Sequence, residues 1–338
     1  MIGDAFGRPP AAAPLALDPY PDSQIPQLSV VTTMYRSASY LNEFHRRVSA
    51  AAAGLFERIE FVYVNDGSPD ESLDAALALQ RDDSRIRIVD LTRNFGHHHA
   101  IVAGLEHTRG DLVFLIDCDL EEDPETLGAL LEAMNTNEAD VAFGVQTARK
   151  GGFLERWGGS LTYRLVDALS GDLRLPANMV VTRIMTRRYV QRFLEHGETA
   201  IVFSALAATT GFRQIAVAVH KHSKGTTTYD LRRRFGMFVK TTVAFSDRPL
   251  HYIAYLGLAT LISSLIYIAY LVFAFIRYQS VPAGYTSLAA SVWLLGGLIL
   301  FSIGIVAIYL SVVFVEVKRR PRYLVRAVYR RPAEDERR

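Results

Sequence analysis

The 338-residue sequence predicts an α/β domain followed by a basic amphipathic helix and a hairpin of two transmembrane helices. In the α/β domain we expect a mostly parallel sheet with helices on both faces. Two observations predict this domain: short β-rich runs alternate with helical patterns from residue 28 to about residue 148, and those runs are apolar on both faces. Such strands are typical of parallel sheets that are buried between layers of helices. A third observation, two long uncharged runs near the carboxyl end, predicts the hairpin.

The elements of the α/β domain follow one another in a regular order. The predicted strands are 28–33, 59–65, 86–91, 112–116 and 141–145, and helical patterns lie between them near 38–53, 70–81, 97–108 and 124–136. Ligands of such sheets bind beyond the carboxyl ends of the strands. Polar or charged side chains follow the first four strands in turn: Tyr35, Asp66, Arg93 and Asp117. We therefore expect these four side chains to lie at one edge of the sheet.

Two uncharged runs follow the domain, one of 25 residues at 252–276 and one of 38 residues at 278–315. A helix needs about 20 apolar residues to cross a bilayer, so we expect two spans, near 253–276 and 287–315. Seven basic residues precede the first span in 221–248, and seven more follow the second span in 316–331. The positive-inside rule then predicts an inner-membrane protein with its α/β domain and both termini in the cytoplasm.

The remaining segments complete the predicted domain organisation. Residues 1–26 hold six of the 13 prolines and no apolar core of a signal peptide, so we expect a flexible arm. The other boundaries are the α/β domain at 27–220, a basic juxtamembrane segment at 221–250, the hairpin at 251–316 and a basic tail at 317–338. The juxtamembrane segment predicts a helix that lies on the anionic leaflet. A formal net charge of +2 argues against nucleic-acid binding, and the single cysteine, Cys118, excludes an intramolecular disulfide.

The fourth strand leads into an acidic segment, residues 117–123, which contains five carboxylates: Asp117, Asp119, Glu121, Glu122 and Asp123. Carboxylates this close repel one another unless a cation offsets their charge. In an extended stretch residues i and i+2 share a face, so Asp119 and Glu121 can reach one Mg²⁺ or Mn²⁺ ion, with Asp117 beside them. The alternative is an acidic helix N-terminus. We prefer that alternative for Asp123, as the cap of a helix with Pro124 in its first position.

Four motifs, in their order and spacing, resemble the family 2 glycosyltransferases. They are Ser-Val-Val-Thr-Thr-Met-Tyr at 29–35, Val-Asn-Asp-Gly-Ser at 64–68, Arg-Asn-Phe-Gly at 93–96 and Asp-Cys-Asp-Leu at 117–120. More narrowly, the chain resembles the polyprenyl-phosphate glycosyltransferases, such as dolichol-phosphate mannose synthase and the bacterial undecaprenyl-phosphate sugar transferases. The likeness extends from about residue 28 to Arg-Pro-Arg-Tyr-Leu at 320–324. It implies a GT-A-like, Rossmann-like fold.

The resemblance also implies an activity. It is the metal-dependent, inverting transfer of a sugar from a nucleotide diphosphate sugar, with UDP favoured, to a polyprenyl phosphate, with undecaprenyl phosphate favoured. By this likeness Tyr35, Asn65 and Asp66 line the nucleobase pocket, and Arg93 lies near the nucleotide. Asp117 faces the ribose or the metal shell, while Asp119 and Glu121 hold the metal against the diphosphate.

Three further positions match those that receive the lipid phosphate in such enzymes: Arg149, Arg156 and Ser160. The spacing of Arg156 and Ser160 puts both on one helix face. A solvated basic loop is the alternative for the two arginines. Three adjacent histidines, 97–99, cannot share one ion, because successive helical residues point about 100° apart. We expect them at a helix N-terminus near the diphosphate, or in packing.

Several positions depart from the family pattern. Arg36 and Ser37 stand where the family usually has Asn-Glu, Glu121 stands where Gln is common, and the segment 225–229 lacks a lysine. The usual Gly-Asp is absent before Arg183. Two alternatives therefore stay open: a family 2 enzyme that acts on a lipid-linked saccharide or another glycan, and a non-catalytic membrane scaffold that binds nucleotide sugars. Self-association as a homo-oligomer is open as well.

Overall fold

The computed structural model describes residues 25–146, 179–196, 203, 206–207, 210–220, 248–278, 284–318 and 320–331. The strands are β1 (Leu28–Met34), β2 (Ile59–Asn65), β3 (Ile86–Leu91), β4 (Leu112–Leu115), β5 (Val141–Gln146), β6 (Met179–Thr186), β7 (Gln214–Val219) and β8 (Val325–Tyr329). The helices are α1 (Leu41–Ala53), α2 (Ser72–Asp82), α3 (His97–Glu106), α4 (Thr126–Thr136), α5 (Arg187–Leu194), α6 (Arg248–Tyr278) and α7 (Tyr285–Val317). The predicted strands and helices of the α/β domain are confirmed, with the largest difference at the start of α1.

The strands form one sheet in the order β7-β5-β6-β4-β1-β2-β3-β8. The predicted parallel arrangement is confirmed for β1 to β4, in which β1 pairs with β2 and β4 and β2 pairs with β3. The whole sheet is nevertheless mixed. β6 runs antiparallel to β4 and β5, and β8 runs antiparallel to β3. Strands β6, β7 and β8 were not among the predicted strands.

Strands β1 to β4 are buried on both faces, as predicted, whereas the edge strands β7 and β8 are only partly buried. Alternate strand residues point to opposite sides, so Val30 packs with α1, α2 and α4, while Val31 packs with α3 and α5. Gly104 brings α3 close to the sheet, because a Cβ at this position would lie 2.5 Å from Cγ1 of Val31. This close packing fixes the direction of α3. The N-terminus of α3 lies at the carboxyl end of the parallel strands.

Two long helices follow the domain and contact each other, α6 with 31 residues and α7 with 33. They contain the two predicted spans. In the described part of the chain one segment, Leu295–Val317 of α7, is long and apolar enough to cross a membrane. The two-span hairpin therefore stays a prediction. The predicted juxtamembrane amphipathic helix, the segment 225–229 and nearly all of the amino-terminal arm lie outside the described residues.

After α7 the chain returns to the sheet as β8. Besides pairing with β3, this strand is fastened to α2, because the side-chain amide of Gln80 donates a hydrogen bond to the carbonyl of Tyr329 at 2.9 Å. The chain that follows the long helices therefore covers one edge of the sheet.

Candidate active site

The first four strands end at one edge of the sheet, as their parallel pairing requires. Met34 pairs in register with Asn65, and Asn65 pairs with Asp90. On the other side of β1, the amide of Ile116 donates to the carbonyl of Val31 at 3.1 Å. The loops after β1, β2, β3 and β4 therefore lie next to one another, and they carry the side chains that the sequence predicted at this edge.

Asp70 joins the loop after β1 to the turn after β2. Its carboxylate accepts a hydrogen bond from the Ala38 amide at 3.2 Å and another from the Ser72 hydroxyl at 2.6 Å. Partial burial opposes ionisation of this group, but the hydrogen bonds from Ser68, Ser72 and the Ala38 amide outweigh it and lower the pKa of Asp70 to about 2. Asp70 is therefore ionised at neutral pH and holds the two loops together.

Tyr35 stands at the start of the loop after β1, and its side chain is 44% exposed. The Arg36 guanidinium lies 5.7 Å from the centre of the Tyr35 ring. Arg36 has a φ of +55°, and its amide donates to the Ser68 hydroxyl at 2.7 Å. The departure from the family pattern at residue 36 thus places an arginine beside the exposed tyrosine ring.

Asp66 fastens the turn after β2 to the loop after β3. Its two carboxylate oxygens accept from the amides of Phe95 at 2.7 Å and Gly96 at 3.0 Å. Only 3% of the residue is exposed, and this burial raises the pKa of Asp66, while the two amide hydrogen bonds lower it in part. Gly67 has a φ of +58°, and a Cβ there would lie 2.3 Å from the carbonyl carbon of Arg93. The two loops are therefore in direct backbone contact.

Asn65 and Arg93 occupy very different positions. The Asn65 side chain is buried, and its oxygen accepts from the Ser68 amide at 3.1 Å. The Arg93 side chain is exposed and its guanidinium lies 4.0 Å from the centre of the Phe95 ring. Of the four residues that the resemblance places at the nucleotide, Tyr35 and Arg93 present exposed side chains, while Asn65 and Asp66 hold the loops in place.

The acidic segment forms a turn, and this corrects the extended geometry that the sequence predicted. Leu120 has a φ of +61°, and the Asp119 carboxylate accepts from the Glu121 amide at 3.0 Å. The side chains of Asp119 and Glu121 therefore do not share a face in the way that alternate residues of a strand do. Asp117, Asp119 and Glu121 are all half-buried.

Two anchors hold this turn. The buried Glu122 accepts from the amide of Thr182 on β6 at 2.9 Å and also from the Thr182 hydroxyl. At the next residue, Arg47 of α1 binds Asp123 at 2.8 Å, and it also binds Glu125 at 2.5 Å. Glu122 and Asp123 thus serve to fix the turn.

The predicted capping role of Asp123 is wrong. Helix α4 begins at Thr126 after Glu125, and no side chain caps it. The main-chain carbonyl of Asp123 accepts from the Thr126 amide at 3.1 Å, whereas its carboxylate is directed to Arg47. The arginine supplies a charge-assisted partner that is stronger than the helix amides would be.

His97 was expected at a helix N-terminus or in packing and was given no named role; it is the first residue of α3 and lies between β1 and the acidic segment. Its Nδ1 is 3.1 Å from the Thr33 hydroxyl, and its Nε2 is 3.7 Å from a carboxylate oxygen of Asp117. Desolvation lowers the pKa of His97, although nearby carboxylates raise it in part. The expected position at a helix N-terminus is confirmed, whereas the contacts with Thr33 and Asp117 were not predicted.

Cys118 lies between two of the acidic residues and is buried. Its thiol donates to the Thr33 carbonyl at 3.1 Å, and burial raises the pKa of Cys118 to about 11. It is a protonated packing residue at neutral pH. The residues predicted to receive the lipid phosphate, Arg149, Arg156 and Ser160, lie outside the described residues.

The acidic segment suits a divalent cation that is shared with phosphate oxygens. No group of three or more His, Cys, Asp or Glu side chains in the described ranges is arranged to hold a metal ion. Mg²⁺ and Mn²⁺ are commonly held by one or two carboxylates and completed by substrate phosphates and water. The half-buried Asp119 and Glu121 provide hard oxygen ligands for such a shared site, and their binding of a metal stays a prediction.

Comparison with known proteins gives consistent matches. The model for the family described as Glycosyl transferase family 2 matches residues 29–208, slightly more than half of the chain. A Mycobacterium tuberculosis protein named as a candidate glycosyltransferase is 44% identical over 303 residues, covering 90% of this chain and 88% of that protein.

Two more distant matches were also found. The bactoprenol glucosyl transferase of Shigella phage SfX is 27% identical, and the match covers 89% of this chain and 99% of that protein. The solved mannosyltransferase PcManGT of Pyrobaculum calidifontis, in complex with GDP-Man and Mn²⁺, is 20% identical with a TM-score of 0.46, and 89% of each chain is covered.

Proposed function

The chain belongs to glycosyl transferase family 2, and on that premise we propose that it transfers a sugar from a nucleotide diphosphate sugar to a polyprenyl phosphate. UDP is the favoured nucleotide, and undecaprenyl phosphate at the cytoplasmic leaflet is the favoured acceptor. The observation that carries the acceptor is the match to bactoprenol glucosyl transferases, which extends over 99% of the phage protein and 89% of this chain. A match of that length includes the region after the family 2 domain, where α6 and α7 lie.

The proposed reaction needs alignment more than proton transfer. A phosphate monoester is ionised at neutral pH, so its oxygen can attack the anomeric carbon without a strong general base. A new carbon–oxygen bond forms as the bond between the sugar and the nucleotide diphosphate breaks, with inversion. The protein's task is to hold the two anions in line and to offset the charge that develops on the leaving diphosphate.

The residues at the strand ends fit this task. The exposed ring of Tyr35 offers a face to a nucleobase, and the exposed guanidinium of Arg93 offers a cation to the nucleotide. Asp66 and Asp70 hold the loops that carry them. A Mg²⁺ or Mn²⁺ ion bound by Asp119 and Glu121, next to Asp117, would supply Lewis-acid stabilisation of the leaving group.

The acceptor side of the proposal rests on sequence. Arg149, Arg156 and Ser160 are proposed to bind the lipid phosphate through charge-assisted hydrogen bonds. The hairpin of α6 and α7 is proposed to anchor the catalytic domain where a lipid acceptor resides. Anchoring confines the search for the acceptor to the plane of the membrane.

The test is a transfer assay on membranes that contain the full chain. These membranes are incubated with a panel of UDP- and GDP-sugars, undecaprenyl phosphate and Mg²⁺ or Mn²⁺, and the lipid product is identified by mass. We expect a hexosyl phosphoryl lipid that forms with one donor and disappears when EDTA is added. Transfer only to a lipid-linked saccharide supports the other glycosyltransferase hypothesis, and donor binding without turnover supports the scaffold.

A further inference from the structure

Asp90, at the end of β3, is a carboxylate with only 1% of its surface exposed. One of its oxygens accepts a hydrogen bond from the side-chain amide of Asn65 at 2.7 Å. The other faces the guanidinium of Arg326 at 3.4 Å. A buried carboxylate is costly unless it is paired and hydrogen-bonded, so the position of Asp90 depends on these two partners.

Arg326 comes from β8, the strand that follows the long helix α7. Its second guanidinium nitrogen donates to the carbonyl of Thr92 at 2.7 Å. The amide of Thr92 in turn donates to the carbonyl of Leu324 at 2.9 Å. The pairing of β3 with β8 has a register shift between Asp90 and Leu91. Arg326 therefore spans the irregular end of β3, directly before Arg93.

The contact continues from Asp90 into the loops of the candidate site. Asn65 donates to Asp90 and also accepts from the Ser68 amide, so it fixes the turn at 65–68. The Ser68 hydroxyl accepts from the Arg36 amide in the loop that carries Tyr35. Arg326, Asp90, Asn65 and Ser68 form a continuous series of polar contacts from the outer edge of the sheet to these loops.

We propose that Arg326 is a positioning residue for the nucleotide site, acting through Asp90 and Asn65. Docking of β8 against β3 then sets the geometry of the turn at 65–68, so donor binding depends on the segment that follows the membrane helices. The inference rests on the proposed function in taking the ligand of these loops to be a nucleotide diphosphate. In this proposal Arg326 itself does not contact the substrate.

A matched control separates this role from a merely structural one. The Arg326 side chain is 57% exposed, but its partner Asp90 is buried, so removing the guanidinium is expected to lower stability as well as to disturb the loops. Arg331, also exposed, provides a matched control, because its guanidinium donates to the carbonyl of Arg81 on α2, away from Asp90. Both arginines hold the same terminal segment, but only Arg326 contacts the series that leads to Asn65.

The experiment compares the full-length protein with R326A, R326K and R331A in detergent. UDP binding is titrated, and hydrogen exchange is measured for the peptide 64–72. For R326A we expect UDP binding weaker by roughly two- to fivefold and faster exchange in that peptide, with a melting temperature below that of R331A because Asp90 loses its charged partner. R326K is expected to recover part of the UDP affinity, because lysine keeps a positive charge facing Asp90 but loses the second hydrogen bond to the Thr92 carbonyl.

A double-mutant cycle with D90N tests whether Arg326 acts through Asp90. We expect R326A to have no further effect in the D90N protein, and independent, additive losses would overturn the proposal. Equal UDP affinity and equal exchange in R326A and R331A would overturn it as well. Hydrogen exchange needs no ligand, so it tests the positioning role even if the wild-type protein fails to transfer a sugar, a result that would count against the proposed function instead.

Discussion

The carboxylates near the ends of β2 and β3, on one side of the candidate site, have different contacts from those after β4, on the other side. After β2 and β3, Asp66, Asp70 and Asp90 accept hydrogen bonds from backbone amides or neighbouring side chains and thereby hold loops together. After β4, Asp119 and Glu121 are half-buried in a turn, which is anchored by Glu122 and Asp123 at its end. The number of acidic residues therefore does not identify a metal site, because most of these carboxylates bind backbone amides or side chains of the protein. Substituting one residue on each side should therefore give different defects, in the transfer rate on the β4 side and in stability and donor affinity on the β2 side.

The largest effect is expected on the β4 side. D119N should lower sugar transfer by at least about 100-fold, because it removes a charged ligand that offsets the leaving diphosphate. The melting temperature and the amount of protein in the membrane should stay unchanged. The measurement is the rate of lipid product formation, with D123N as the control, since that carboxylate is bound to Arg47. Wild-type rates for D119N would remove Asp119 from the metal role.

A different defect is expected on the β2 side. D66N should destabilise the domain by about 1–3 kcal/mol, because an amide NH₂ would then face a backbone N–H of Phe95 or Gly96. Donor KM should rise more than kcat falls. Denaturant unfolding and steady-state kinetics measure the two effects, and D82N, at an exposed position on α2, is the control. A loss of kcat with unchanged stability would place Asp66 on the chemical side of the comparison.

The loops near α3 should also respond to pH. Burial lowers the pKa of His98 from 6.5 to about 4. Between these two pH values the unfolded chain binds a proton at this residue and the folded protein does not. Stability from this group is present above pH 6.5 and is lost as the pH falls towards 4. Unfolding measured between pH 7.5 and pH 4.5 should show a smaller loss for H98N than for the wild type. Parallel curves for the two proteins would contradict this assignment.

The smallest effect is expected at Arg47, which binds the carboxylates of Asp123 and Glu125. R47M removes the contacts with Asp123 and Glu125 and should cost up to about 1 kcal/mol, since these groups are only partly buried. Sugar transfer should change little, because Glu122 still holds the turn to β6. Thermal unfolding and the transfer assay measure both effects. A loss of transfer as large as that of D119N would show that this anchor controls the metal site.

Much of the fold was predictable because it depends on local patterns. The runs at 59–65 and 86–91 are strands with the predicted bounds, since their residues are apolar enough to be buried on both faces. The antiparallel strands β6 and β8 depend on pairing with distant strands, which a local pattern does not record. The density of charge between Asp117 and Asp123 predicts a metal site in the segment after β4, and that assignment stays a prediction.

The geometry of the site was less predictable. Leucine gives no sign that residue 120 adopts a positive φ, so the turn between Asp119 and Glu121 was missed. The partner of Asp123 is Arg47, 76 residues away in the chain. The contact between Asn65 and Asp90 likewise depends on the register of β2 and β3. Partners that are distant in sequence decide which carboxylates fasten loops and which face the site.

Electron paramagnetic resonance of Mn²⁺ tests whether Asp119 in the acidic segment binds a divalent cation beside a nucleotide diphosphate. The metal is titrated into the purified full-length protein with UDP present. The account predicts one bound Mn²⁺ per chain that depends on UDP, is lost in D119N and is retained in D123N. Mn²⁺ binding that is the same in the wild type and D119N, or that does not change when UDP is omitted, would contradict it.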